Sequence, residues 1–216
     1  MLIRALRRAR RPVRIFSFPA YGRTLSSRLV SDYLNGRLGD LPPRLTALLF
    51  ACDRLEQSPR IHQALESGEF VVCDRYVPSN LAHQVARAAR AEKASLRKFI
   101  LDLEYQCFRL PRPSAVVFLD MTPSLARRRV LQKGRRAYTR LQLDIQESDS
   151  GHLSAALAEY RGQSRSRGWH RISTVSTNGR PRSRQEIHRE VLEALSRAGI
   201  IPAPAKANLR RPGRPR

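Results

Sequence analysis

Short apolar, β-branched runs alternate with longer stretches of helical periodicity along this chain. Val13 to Phe18 alternates as a strand and is closed by Pro19 and Gly22; Phe70 to Cys73 is a buried run entered through Gly68. Ala115 to Leu119 is a second buried run, ending in Asp120, and Trp169 to Val175 is a last short strand. Between them the spacing predicts a short helix over 1–11, stopped by Pro12, and another over 24–38 with Leu25, Leu29, Val30, Tyr33 and Leu34 on one face. Pro42-Pro43 opens a long helix through Leu45, Leu48, Leu49, Ala51, Cys52 and Leu55; Pro59 is expected to break it, with a second piece over 61–67. Further helices are expected over 79–90, over 96–110, from Pro123 to Lys133-Gly134, over 152–160 and over 184–198. Strands alternating with helices predict one α/β domain, residues 1–199, on a doubly wound parallel sheet with helices on both faces. Arg135 to Asp149 is polar and punctuated, as a mobile loop would be, and residues 200–216 form an Arg- and Pro-rich tail expected to be disordered.

The stretch Glu69 to Asn80 organises the rest. Its strand ends abruptly in Asp74-Arg75-Tyr76, and Pro78 suits the first turn of a helix. An acid and a base at the carboxyl end of a buried strand stand where ligands bind in open α/β sheets. A structural ion pair closing the strand is the alternative reading of the same two residues.

Charge adds a partner class. Lys and Arg number 41 against 18 Asp and Glu, a formal net charge of +23, and Arg supplies nearly all of the excess. Such a balance favours anionic partners, nucleotides and nucleic acid among them, although coding bias toward Arg at solvated positions gives the same composition. Cys52, Cys73 and Cys107 show neither metal spacing nor a disulfide framework, which fits a reducing, cytoplasmic compartment. No apolar run approaches the ~20 residues of a membrane span. No acid precedes Asp32 and Arg is dense from Arg4 to Arg14, superficially like a transit peptide, but this segment runs directly into Phe18-Pro19 and reads as part of the domain.

Four stretches line up in order: Phe18-Pro19-Ala20-Tyr21, Leu49-Phe50-Ala51-Cys52-Asp53-Arg54, Asp74-Arg75-Tyr76-Val77-Pro78-Ser79-Asn80, and the basic loop Lys133 to Arg140. With this order and spacing the chain resembles the thymidylate kinase family over roughly residues 13–198. The resemblance implies a P-loop-kinase-like fold that moves the γ-phosphoryl group of ATP, with Mg2+, to dTMP. It also implies that Phe50 stacks on the base and Arg54 donates to a base carbonyl. Asn80 would offer its amide to the pyrimidine edge, and Arg75 would grip the phosphate with its planar fork. Asp74 would orient that Arg or a metal-bound water, Pro19 and Tyr21 would wall the sugar and phosphate side, and Phe18 would belong to the same acceptor site. His83 stands where many relatives have a Tyr that favours deoxyribose. Lys133, Arg135, Arg136 and Arg140 fall in the family's lid, where cations close over the transferring phosphoryl. The resemblance further implies a homodimer; the charge of the tail, read by itself, would meet nucleic acid only nonspecifically. Taken singly, Phe50 also reads as core, Arg54 as a solvated helix residue and Asn80 as a cap.

The family's donor-binding loop, Gly-x-x-x-x-Gly-Lys-Ser/Thr, is not among these residues. In the family it follows a first strand lying centrally, between the strands matching Phe70–Cys73 and Ala115–Leu119, and residues 1–11 match only the end of the helix after it. The expectation is therefore a sheet lacking its central strand, with impaired phosphoryl transfer. Two readings of that expectation stand: a longer natural protein whose start lies upstream, or a non-catalytic nucleotide- or polyanion-binding remnant of the fold.

Overall fold

A computed structural model describes residues 1–122, 124–126, 128 and 149–202. The lid residues Lys133, Arg135, Arg136 and Arg140, most of the helix expected from Pro123, and the tail from residue 203 lie outside the described residues.

The strands form where the apolar runs predicted them: β1 is Val13–Ser17, β2 Phe70–Asp74, β3 Val116–Asp120 and β4 Trp169–Ser173. The helices are α1 (Leu2–Arg8), α2 (Leu25–Leu34), α3 (Pro43–Glu66), α4 (Val77–Arg87), α5 (Lys93–Asp102), α6 (Ser150–Gln163) and α7 (Arg184–Arg197), with a π-helical turn at Leu103–Cys107 after α5. All strand pairs are parallel, as crossover helices require. They make two two-stranded sheets, β1 beside β2 and β3 beside β4. No ladder joins β2 to β3 among the described residues. That is the place the family resemblance left without a strand.

Helices cover both faces. Val13, Phe70, Val72, Ala115 and Val117 pack toward Leu6 of α1 and Ile187, Val191 and Leu195 of α7. Phe16, Val71 and Cys73 face the opposite way, into a core with Ala47 and Ile61 of α3, Val77, Leu81 and Val85 of α4, and Leu96 and Ile100 of α5. The alternation along β2 is the period-two pattern of a strand covered on both sides. Residues 70–73 of β2 are nevertheless only half-buried, and Asp74 is exposed.

Two helix expectations need correction. Pro59 lies inside α3 without breaking it. Ala51, Arg54, Ser58 and Ile61 are all buried on one stripe spanning the proline, so packing holds the helix across the lost backbone bond. In α2 the anchoring face is Val30, Tyr33 and Leu34, whereas Leu25 is 69% exposed. Thr24 caps that helix by accepting from the Ser27 N–H, and Ser27 answers by accepting from the Thr24 N–H.

Candidate functional site

The buried stripe of α3 is unusually polar, because it faces other polar groups rather than the Leu-rich side that periodicity favoured. Arg54 is 2% exposed and Glu104 0%. Arg54 donates from Nε to Glu104 Oε2 at 2.5 Å and from Nη2 to Oε1 at 2.6 Å, a two-pronged pair in the core. Glu104 sits in the π-helical turn, a local widening found often at functional sites. Asn80 of α4 completes the cluster. Its Nδ2 donates to the Ala47 carbonyl at 2.9 Å and to Glu104 Oε1 at 2.8 Å. Its Oδ1 is buried with no hydrogen-bond partner. Leaving a buried acceptor unpaired costs about 1–3 kcal/mol, so such an atom calls for an explanation.

A second set fixes the loop after β1. Asp53, on the same helix as Arg54, accepts from the Ala20 N–H at 2.8 Å and from Thr24 Oγ1 at 2.5 Å. Burial raises the Asp53 pKa above the ordinary carboxylate value, against the lowering effect of those hydrogen bonds and of Arg54. Glu56 accepts from the backbone N–H groups of Leu25 and Ser26 at the start of α2. Although desolvation pulls it upward, those bonds hold Glu56 below its usual range. Helix α3 thus carries Phe50 and Arg54 while pinning the segment with Pro19 and Tyr21. Phe50 is half-buried and meets Tyr33 edge-on, with centroids 6.4 Å apart, in a patch that includes Tyr21. Phe18 departs from its expected role. At 4% exposure it lies in the core, stacked with Phe16 and tilted against Tyr76, so its ring supports the site from behind. The Phe18–Pro19 peptide bond is cis, and Pro19 itself is half-buried.

The third set lies at the carboxyl end of β2. The Asp74 side chain is exposed and its carbonyl accepts from the Phe18 N–H. Arg75 follows in left-handed backbone, φ 63°. Its Nη1 lies 3.3 Å from His83 Nε2, and His83 Nδ1 lies 3.1 Å from His152 Nε2 of α6. A guanidinium only donates, so His83 accepts at Nε2, carries its proton on Nδ1 and donates it to His152. Both imidazoles are neutral in this chain of contacts. Burial, then Arg75 and His152, lowers the His83 pKa well below its ordinary value; burial likewise lowers that of His152, against the raising effect of Asp149. As pH falls below about 6.5 the unfolded chain takes up protons that the folded chain refuses, so stability drops toward the lower folded pKa values. Denaturation midpoints should fall between pH 7.5 and 5.5, and H83Q/H152Q should flatten that slope. An equally steep slope in the variant would place the effect elsewhere.

Glu104, Asp53 and His152 were not singled out from the sequence. Glu104 carried no distinguishing signal, since Asp102 is another acid in the same stretch of residues 100–108, and nothing local pointed to its partner. Asp149 caps α6 by accepting from the Gly151 and His152 N–H groups. Asp120, at the end of β3, is held by Arg161 and Arg171. A cleft of about 470 Å³, lined by Asp40, Pro43, Arg87, Asp149 and His152, opens beyond His83 along α4; Phe50 and Asn80 do not line it. Among the described residues no group of three or more His, Cys, Asp and Glu could hold a metal ion, and no helix is long and apolar enough to cross a membrane.

A sequence model of the family described as thymidylate kinase matches residues 1–159. The chain is 32% identical over 124 residues to thymidylate kinase of Mycobacterium tuberculosis (strain CDC 1551 / Oshkosh), covering 56% of this chain and 58% of that one. It is 35% identical over 109 residues to the probable thymidylate kinase of Pyrobaculum aerophilum, covering 50% and 51%. The chain thus spans a little over half the length of these curated relatives. The solved structure of thymidylate kinase from Candida albicans superposes with a TM-score of 0.63 at 18% identity, over 87% of this chain and 81% of that one, a likeness of fold.

Proposed function

The chain belongs to the thymidylate kinase family, and from that premise we propose that it binds a pyrimidine deoxynucleoside monophosphate and serves the transfer of the ATP γ-phosphoryl group to dTMP, giving dTDP. The observation that carries this reading is the buried, unpartnered Oδ1 of Asn80 beside the Arg54–Glu104 pair. A thymine N–H supplies the missing donor. Phe50 offers a ring face for stacking, and Arg54 keeps Nη1 outside its pair with Glu104, a donor for a ring carbonyl. Arg75 holds the acceptor's phosphate, Asp74 orients that end, and Pro19 and Tyr21 wall the sugar side. His83, bonded to Arg75 and His152, stands by the sugar in place of the Tyr common among relatives.

The donor side is different. Magnesium ATP belongs to the family's chemistry, but the loop that would cradle its phosphates is not among these 216 residues. Among the described residues none builds that site or gathers ligands for magnesium. Lid residues Arg135, Arg136 and Arg140 remain candidates to neutralise the transferring phosphoryl. A cytoplasmic, homodimeric enzyme of nucleotide biosynthesis is the setting this reading favours.

The rival is a non-catalytic nucleotide- or polyanion-binding protein, favoured by the charge of +23. Calorimetric titration of the 216-residue chain separates them. On the leading reading dTMP binds at least tenfold more tightly than thymidine, and the complex survives 200 mM salt. Binding to duplex DNA that collapses with salt, with none to dTMP, would instead establish the rival. A coupled assay of the chain alone is expected to show little turnover; robust turnover would mean that other residues bind the donor.

A further inference from the structure

We propose that Glu104 is a positioning residue that sets which pyrimidine edge the site accepts, an inference that rests on the base-binding role given to Asn80. A primary amide in a pocket can present either its carbonyl or its NH2 group by turning over. Here it cannot turn without loss. Both Nδ2 hydrogens are engaged, one by the Ala47 carbonyl at 2.9 Å and one by Glu104 Oε1 at 2.8 Å. Both partners are acceptors, so a turned amide would set its carbonyl against two oxygens. Glu104 is itself held by both prongs of Arg54 and is fully buried, so it has no freedom to follow.

The consequence is a fixed acceptor at Asn80 Oδ1. A ring carrying N–H at the facing position, as thymine and uracil do, completes the pair. Cytosine presents a lone pair there and meets a lone pair. Selection between the two ring classes is thus made by a carboxylate that need not touch the ring. The identity of the acid matters: a Gln at 104 can either accept from Asn80 Nδ2 or donate to Oδ1, which releases the amide to turn.

Calorimetric binding of dTMP, dUMP and dCMP to the wild-type chain and to Glu104→Gln reads this out. Wild type is expected to bind dTMP and dUMP at least tenfold more tightly than dCMP, and E104Q to narrow that ratio at least fivefold. A variant that weakens all three equally has a structural effect only, and the inference falls. Wild type binding all three alike also sinks the inference but leaves the monophosphate site standing; wild type binding none removes the site itself. Should E104Q not fold, the Asn80 side-chain amide of the wild type decides by NMR. Slow exchange of both protons is expected, and rapid exchange of either overturns the proposal.

Discussion

Replacing Arg54 with Met while Glu104 stays in place is expected to lower stability by about 3–5 kcal/mol, the cost of stranding a buried charge. Arg54 and Glu104 are both sealed from solvent, and Arg54 is the only cation bonded to that carboxylate among the described residues. Asn80 Nδ2 alone cannot neutralise it. Domains of this kind are stable by about 5–15 kcal/mol, so R54M should populate the unfolded state at modest urea concentrations. The double variant R54M/E104L should recover most of the loss, since a buried ion pair exchanged for apolar groups of similar volume is often neutral or better. Urea midpoints of the wild type, R54M and R54M/E104L close the comparison. A midpoint for R54M within experimental error of the wild type would show that Glu104 reaches water, contrary to its burial. The double variant also loses the cluster proposed to read the base, so on that proposal its recovered stability should come without recovered dTMP affinity.

Arg75→Ala is expected to reduce affinity for dTMP ten- to hundredfold, matching about 1.5–3 kcal/mol for hydrogen bonds between charged groups, while leaving thymidine affinity unchanged. The expectation rests on position. Arg75 terminates β2 in left-handed backbone, and His83 steadies its guanidinium at 3.3 Å. Losing a phosphate contact spares the base, so the nucleoside is the internal control. Arg75→Lys should recover only part of the loss, because an ammonium lacks the planar fork. Equal weakening of dTMP and thymidine by R75A would locate Arg75 in support of the fold and not on the phosphate.

The sequence foretold the elements well where one face or both were plainly apolar. All strands fall within a residue or two of their apolar runs, and α4, α6 and α7 form about where their periodicity placed them. The family resemblance implied a gap in the sheet, and among the described residues the strands pair as β1 with β2 and β3 with β4. Local rules failed at Pro59, where packing on both sides outweighed one lost backbone bond. They failed again on α3, whose Leu-bearing side is partly exposed and whose polar side is buried. Periodicity measures hydrophobicity, and a helix that buries paired polar groups is invisible to it.

The same division runs through the candidate site. Position at the end of a buried strand singled out Asp74 and Arg75, and the resemblance carried by the four ordered stretches added Phe50, Arg54 and Asn80. What they touch was decided by the fold. Glu104 meets Arg54 across 50 residues of chain, His152 meets His83 across 69, and Asp53 reaches Ala20 across 33. Sequence determined which residues are candidates for the site and on which elements they ride, since local propensity and hydrophobic period act over a few neighbours. Tertiary structure decided which charges are neutralised, which amide is locked and which ring is core, since desolvation and pairing depend on what the packed chain brings together from afar.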